Sequence, residues 1–367
     1  MSALSPVRIV HVDTGRTWRG GQRQVWLLHR GLVERGVASL LLCTAGGELH
    51  RRTEATGLPV RGLPLRGEWD LASAVRIARE ARRAGATHLH LHSAHAQTLG
   101  LLASRFAGMR RVLATRRVDF VPRDRLVNRW KYGSGISRFV AISAAIRDIL
   151  VRFGVPAERI RLVPSGVDFT PPPEGGGAAV RRELSVAPGQ PLVGTIGALV
   201  DHKGQRYLVE AAALVLRERP EARFAIVGEG ELRADLEARA EVLGLGDRLL
   251  FTGFRRDVPA VLDALDLFVL PSHLEGLGTI VLDALAAGKP VVGTRAGGIP
   301  EMIEDGRHGL LVPPRDPPAL AAAVLRLLGD PELGRRLAAE GRTRALGSFS
   351  ADAMVEGNLA VYRELTA

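Results

Sequence analysis

Glu275-Gly276-Leu277-Gly278-Thr279-Ile280-Val281-Leu282-Asp283-Ala284-Leu285-Ala286-Ala287-Gly288-Lys289-Pro290 joins two carboxylates to a glycine-rich turn that opens a helix. Gly276 and Gly278 let the backbone N–H groups of the turn, through Leu277 to Ile280, approach a ligand closely. A helix starting at Thr279 presents unpaired N–H groups and a positive dipole end to a phosphate. Eight positions separate Glu275 from Asp283, so one lies in the loop and the other within the first helical turns. Both can accept hydrogen bonds from hydroxyls, at different parts of one extended ligand such as a sugar nucleotide. The spacing alone also fits an ordinary loop with an acid ahead of a helix, so the neighbouring segments decide.

Upstream, Gly194-Thr195-Ile196-Gly197-Ala198-Leu199-Val200-Asp201-His202-Lys203-Gly204 reads as a β-branched strand, a glycine, and a short loop with one lysine before a new helix. Downstream, Pro290-Val291-Val292-Gly293-Thr294-Arg295-Ala296-Gly297-Gly298-Ile299-Pro300-Glu301 is a strand and a second glycine turn, with Pro300 suited to the start of a helix. In an open parallel sheet such loops gather at the carboxyl ends of the strands, where ligands bind. Lys203, Glu275 and the two glycine turns are therefore expected to meet.

The same alternation runs through the whole chain. In the first half, Val7–Asp13, Ser39–Thr44, Thr87–Ser93, Arg111–Thr115, Arg138–Ser143 and Ile160–Pro164 read as strands, with helices at Gly21–Arg35, Leu71–Arg83, Ala94–Phe106 and Ala144–Phe153. The second half has strands at Leu192–Ile196, Arg223–Val227, Leu249–Gly253, Leu267–Pro271, Val291–Thr294 and Gly309–Val312. Continuous apolar strands separated by helices indicate α/β architecture, with parallel sheets covered on both faces. Thr170-Pro171-Pro172-Pro173-Glu174-Gly175-Gly176-Gly177 interrupts the pattern and reads as a linker. The expected organisation is a first domain over 1–170, a linker over 171–190 and a second domain over 191–349.

A length of 367 residues suffices for two cores, and 46% hydrophobic residues argue against extensive disorder. The single cysteine, Cys43, lies in an apolar run and reads as a buried strand residue in a protein of a reducing cytoplasm. No run approaches the ~20 apolar residues of a membrane span, so no transmembrane segment is expected. The net charge of +11 is unevenly spread. Residues 1–170 hold 28 Lys plus Arg against 12 Asp plus Glu, or +16, and the remainder holds 22 against 27, or −5. Arg110-Arg111, Arg116-Arg117 and Arg123-Asp124-Arg125-Leu126-Val127-Asn128-Arg129-Trp130-Lys131-Tyr132 crowd one region. Such a patch attracts anionic glycans or phosphate-bearing lipids, and Phe120, Trp130 and Tyr132 among the arginines fit peripheral contact with the inner face of a membrane. Nucleic acid is the weakest of the three partners and is not expected, because no nucleic-acid module accompanies the charge.

Three other patterns carry less. His88, His90 and His92 alternate along one strand face, yet neighbours two apart spread along a sheet and no carboxylate joins them, so no metal site is expected. His92 and His95, near the strand's carboxyl end, are candidates for contact with an acceptor. Gly228-Glu229-Gly230 lacks the third glycine of a dinucleotide fingerprint, Arg233 standing there. No Gly-x-Ser-x-Gly elbow supports a serine hydrolase.

The order of these elements resembles family 4 of the nucleotide-sugar glycosyltransferases, retaining enzymes of the GT-B fold. The resemblance rests on Gly20-Gly21-Gln22-Arg23-Gln24 before a helix, Ala141-Ile142-Ser143, Val163-Pro164-Ser165-Gly166-Val167-Asp168, Lys203-Gly204, Glu275 to Asp283, and Gly297-Gly298. It implies two Rossmann-like doubly wound domains facing a cleft, with a last helix, within 350–367, crossing back onto the first domain. It also implies transfer of a sugar from a nucleotide-sugar donor to a hydroxyl of a glycan or glycolipid acceptor in cell-envelope polysaccharide synthesis. Lys203 and Glu275 would be catalytic. Gly20, Gly21, Gly197, Gly276, Leu277, Gly278, Thr279, Ile280 and Asp283 would bind the donor. No metal and no cofactor are implied, the nucleotide sugar being a substrate. Three positions depart from the family pattern: Asp283 stands for a longer acid, Ala198 for an arginine beside the diphosphate, and Arg117 for a histidine after the fifth strand. Arg116 or Arg117 would then supply the missing positive charge. A GT-B nucleotide-sugar epimerase, or a protein that only binds a sugar nucleotide or glycan, is the alternative from a different class.

Overall fold

The computed structural model describes residues 7–133 and 135–366. Two compact units result: the chain through Gly166 together with the segment from Ala351, and Val167–Ser350. The first unit holds a seven-stranded sheet of β1 (Arg8–Asp13), β2 (Ala38–Thr44), β3 (Val60–Leu63), β4 (His88–Leu91), β5 (Val112–Arg116), β6 (Arg138–Ala141) and β7 (Ile160–Leu162), in the order β3-β2-β1-β4-β5-β6-β7. The second holds six strands, β8 (Leu192–Ile196), β9 (Arg223–Val227), β10 (Leu249–Gly253), β11 (Leu267–Leu270), β12 (Val291–Thr294) and β13 (Leu310–Val312), in the order β10-β9-β8-β11-β12-β13. Every pairing in both sheets is parallel. The strand order reverses between β1 and β4 and between β8 and β11, the crevices where doubly wound folds bind ligands.

Burial on both faces explains the apolar runs. All four residues of β11, Leu267, Phe268, Val269 and Leu270, are buried. In the first unit the last helix, Ala351–Glu364, packs on the helix Gly20–Glu34. A Cβ on Gly31 would come within 2.6 Å of Val355, so glycine permits the close approach. Arg35 ties the pair by bonding Asp352 at 2.7 Å and Glu356 at 2.8 Å. From the same helix, Tyr362 places its hydroxyl 2.6 Å from His90 Nδ1 in the sheet.

Two expectations need correction. β3 carries no continuous apolar signal, because it is an edge strand whose Arg61 faces water and whose Gly62 admits the chain at Ala45. The stretch 171–190 is not a free connector, since it contains the helix Gly176–Glu183 and belongs to the second unit. Its glycines serve packing: Gly177 donates its N–H to Asp263 Oδ2 at 3.1 Å, and a Cβ there would meet that oxygen at 2.3 Å.

Candidate functional site

In the second unit, β8 runs into a loop whose Lys203 ends a single turn, Asp201–Lys203, closed by Gly204. Gly204 has φ +67°, and a Cβ there would lie 2.2 Å from the Pro271 carbonyl oxygen. Glycine thus lets this loop rest on the end of β11. The His273 N–H completes the contact by donating to the His202 carbonyl at 3.0 Å. The outcome is an ion pair: Lys203 Nζ donates to Glu275 Oε2 at 2.5 Å, and Ser272 Oγ donates to the same oxygen at 3.3 Å. The two charged side chains keep 21% and 11% of their surface, enough for a ligand to reach them.

The glycine turns hold Glu275 from behind. Gly297 has φ +50°, with its absent Cβ only 1.7 Å from the Glu275 carbonyl oxygen, and the Gly298 N–H donates to that oxygen at 3.1 Å. Gly278, at φ +83°, immediately precedes the helix Thr279–Ala286. Gly276 and Leu277 are buried beneath the turn, Thr279 and Ile280 are half-buried, and Asp283 is half-buried in the helix. On the other side of the loop, Gly228, at φ +143°, would clash with the Gly197 carbonyl if it bore a Cβ, and the Gly197 N–H donates to the Val227 carbonyl at 2.9 Å. Loops after β8, β9, β11 and β12 are therefore locked together at the β8–β11 reversal. An N–H-rich helix start and one lysine suit phosphate oxygens, and the glutamate suits hydroxyls.

Other residues at this site escaped the sequence reading. Gln205 holds the Ala198 backbone by donating Nε2 to its carbonyl at 2.9 Å. His273 is buried with Nε2 3.3 Å from Asp201 Oδ2, and burial lowers its pKa. The signal was available: Ser272-His273 stands between the end of a strand and Glu275.

In the first unit β1 ends on Asp13, which is buried. Its Oδ1 accepts from the Gly15 N–H at 2.7 Å and from Gln22 Nε2 at 3.2 Å, while burial raises its pKa. Gly20 and Gly21 open their helix, and the Cβ position of Gly21 lies 3.8 Å from Arg117 Cδ. Arg117 Nη1 is 3.4 Å from both Nδ1 and the carbonyl oxygen of His92, two long hydrogen bonds. Burial pushes the Arg117 guanidinium down to about 10, with Asp13 acting in the opposite direction, so it stays charged at neutral pH. Gly21, His92 and Arg117 are thus brought together at the carboxyl ends of β1, β4 and β5, and Asp13 adds a residue that the sequence reading omitted.

Arg116 and Tyr132 do not fit their expected roles. Arg116 is buried, and its guanidinium is spent on the Val118 carbonyl at 3.1 Å, the Phe120 carbonyl and the Tyr132 hydroxyl. It shapes the loop after β5 and has little left for a ligand. Tyr132 packs its ring against Phe139 and Phe153, at 5.6 and 5.0 Å between centroids, so it forms part of the core. His95 is exposed on the helix Ala94–Ala107, with Nε2 3.9 Å from Glu68 Oε2.

The histidines converge where a spread was expected. His11 on β1 stands opposite His90 in the register, and the His90 and His92 rings lie 4.1 Å apart. Nitrogens of His11, His90 and His92 all lie within 4.8 Å of one another. Neighbouring parallel strands, which the single-strand argument left out, produce this. Their hydrogen bonds run inside the protein: His11 Nδ1 to His92 Nε2 at 2.9 Å, and His90 to Tyr362 and to Thr115 Oγ1 at 2.6 and 2.7 Å. With both His90 nitrogens engaged and Arg117 beside His92, the set fits a packed polar core better than a cation.

Residues 18–170 match the description Glycosyltransferase Family 4, and residues 190–330 match Glycosyl transferases group 1. The chain is 33% identical to a 2-deoxystreptamine N-acetyl-D-glucosaminyltransferase of Streptomyces fradiae, over 94% of this chain and 90% of that protein. It is 35% identical to the lipopolysaccharide core biosynthesis glycosyltransferase LpsE of Rhizobium meliloti, over 50% of this chain and 52% of that one. With several curated relatives the match spans only about half of their length. Among solved structures, HepE of Anabaena, crystallised with UDP and glucose, superposes with a TM-score of 0.85 at 22% identity, covering 98% of this chain and 100% of that one.

Proposed function

The chain belongs to the family 4 glycosyltransferases of the GT-B fold, and from that premise we propose that it moves a sugar from a nucleotide donor to a hydroxyl of a glycan or glycolipid, with retention of configuration. The Lys203–Glu275 pair at the β8–β11 reversal, beside the helix that begins at Thr279, carries this reading. As the donor's glycosidic bond breaks, negative charge grows on the departing phosphate oxygen. Lys203 and the N–H groups of the Gly278–Ile280 turn are the donors aimed at such charge, each contributing on the order of a few kcal/mol. Glu275 both holds Lys203 and accepts from a sugar hydroxyl, and Asp283 accepts from the ribose. The leaving phosphate takes the acceptor's proton on the same face, which preserves the configuration. In the first unit, Gly20 and Gly21 open a helix beside Arg117, a place that also suits an anionic oxygen.

The acceptor belongs with the first unit. Its excess of positive charge disfavours a cationic acceptor and favours a neutral or anionic envelope glycan, in keeping with the lipopolysaccharide core biosynthesis for which LpsE is named. The loop after β5 exposes Val118, Phe120, Val121 and Leu126 among Arg123 and Arg125, a surface suited to the inner face of an anionic membrane. No helix among the described residues is long and apolar enough to cross a membrane, so the site would work there by peripheral contact.

Thermal shifts over UDP-, GDP- and ADP-sugars test the donor, with UDP-sugars first because HepE was crystallised with UDP. Absence of stabilisation by every one of them would refute the reading. The anomeric configuration of the product, read by NMR, tests retention.

A further inference from the structure

The loop that follows β3 and the helix Leu126–Lys131 that follows β5 are clipped together by one ion pair. Lys131 Nζ donates to Glu68 Oε1, and Thr98 Oγ1 donates to the same oxygen at 2.7 Å. Lys131 is buried, and its backbone carbonyl accepts from Gln97 Nε2 at 2.9 Å, which fixes the end of that helix against the helix Ala94–Ala107. The residues adjacent to the two ions are tryptophans. Trp69 and Trp130 stack with centroids 6.1 Å apart and 26° between planes, and the Arg105 guanidinium lies 5.8 Å from the Trp130 ring. Trp69 nevertheless leaves 58% of its surface in water. A rigidly supported, exposed indole is an uncommon use of the largest side chain and marks a contact surface.

We propose that Trp69 and Trp130, with Glu68 and His95, form a saccharide subsite that stacks a pyranose ring of the acceptor. The assignment of that sugar as acceptor rests on the transferase reading above. A pyranose offers one face of C–H groups to an indole and a rim of hydroxyls to polar neighbours. Glu68 Oε1 is occupied by Lys131 and Thr98, whereas Oε2 has His95 Nε2 only at 3.9 Å and keeps acceptor capacity for a hydroxyl. His95 is itself exposed and can donate or accept. All the segments involved leave the carboxyl ends of β3, β4 and β5, the ligand-binding side of the sheet. Glu68 and Asp70 flank Trp69 in the β3 loop and offer acceptors for hydroxyls, whereas the loop 118–126 exposes Val118, Phe120, Val121 and Leu126 among arginines. Nearer the end of β3, a pocket lined by Arg16, Thr44, Gly47, Leu65 and Arg66 would suit an anionic substituent on the same glycan.

Saturation-transfer NMR on the full chain without donor, titrating maltotriose and separately a uronic-acid trisaccharide, provides the test. Saturable binding in the range of about 1–10 mM is expected for at least one of them. Trp69→Ala should weaken it by about tenfold or more, the loss of a stacking contact, with Trp69→Phe between the two. A circular-dichroism melt shows that each variant is folded. Lack of saturable binding by either saccharide up to about 100 mM, or equal binding by Trp69→Ala, would overturn the proposal. Tryptophan quenching by anionic vesicles in place of saccharide binding would overturn it too, and would give the surface to lipid. Thermal shift of the wild-type protein by UDP-glucose separates the two readings: donor stabilisation without saccharide binding sinks this subsite alone, and saccharide binding without stabilisation by any nucleotide sugar sinks the transferase reading.

Discussion

Lys203 Nζ and Glu275 Oε2, 2.5 Å apart, link the loops after β8 and β11 across the point where the second sheet reverses its strand order. The pair is mostly but not wholly desolvated, so each charge depends on the other while both remain within reach of a ligand. Glu275→Gln keeps the shape and removes the charge. Transfer should fall by about 10²–10³ in kcat. A double-mutant cycle with Lys203→Ala should return a coupling of about 1–3 kcal/mol in urea unfolding. Additive losses would mean that the two side chains act independently, against the arrangement described.

Gly297→Ala tests the backbone support of that pair. Its φ of +50° strains any other residue, and the new Cβ would lie 1.7 Å from the Glu275 carbonyl oxygen. Gly36 supplies the control, since its φ is +71° and no atom lies within 4 Å of its Cβ position. Gly36→Ala should cost about 1 kcal/mol of strain, and Gly297→Ala about 2 kcal/mol or more together with donor affinity. Urea unfolding and calorimetric binding of UDP-glucose give both quantities. Equal costs at the two positions would remove the steric argument.

Where an element's signal is local, it was legible in the sequence. Leu192–Ile196, Arg223–Val227 and Val291–Thr294 are strands over the residues expected, because buried parallel strands must be apolar on both faces. The meeting of Lys203 with Glu275 was also legible, since loops at one end of a parallel sheet have few places to go. What failed depends on partners distant in sequence. His11 and His90 converge through register between β1 and β4, and Arg116 is consumed by carbonyls of the loop it supports. Neither can be read from spacing. Gly176 and Gly177 looked like a flexible joint, yet they allow a helix to pack closely on Ala260 and Asp263.

The buried histidines make stability depend on pH in one direction. Burial lowers the pKa of His29 and His88 from 6.5 to about 4, and lowers those of His11, His90 and His92 well below 6.5. Nearby cations add to this, Arg111 at His88 and Arg117 at His11, His90 and His92. In the unfolded chain the imidazoles bind protons near 6.5, so between that pH and about 4 the unfolded state holds more protons than the folded one. Stability is therefore complete above about pH 6.5 and falls as pH drops. His29 and His88 would each remove about 3 kcal/mol by pH 4. Urea unfolding from pH 8 to 4.5 should show this acid limb, and His88→Asn should flatten it by about 1.4 kcal/mol per pH unit. An unchanged slope would mean that His88 does not titrate differently on folding.

Arg117 is the residue expected in place of a family histidine, and its surroundings say what a cation there demands. A guanidinium there is largely buried beside His92 and feels Asp13, whose carboxylate raises its pKa against the effect of burial. His92 in turn is held neutral by burial and by its neighbours, Arg117 among them, so one cation occupies this end of β4 and β5. That cation lies against Gly21 at the start of a helix, where an anionic oxygen of a ligand would gain from both. Arg117→Met should therefore lower kcat/KM by about 10² or more and raise the pKa of Asp13 further, since a favourable positive charge is lost. Arg117→His should stay near the level of Arg117→Met at neutral pH and gain activity only toward acid pH, because an imidazole carries the charge only when protonated and burial beside His92 opposes its protonation. Steady-state kinetics between pH 5.5 and 8.5 reads both effects. Unchanged turnover and donor affinity in Arg117→Met would show that the positive charge at this position plays no part in transfer.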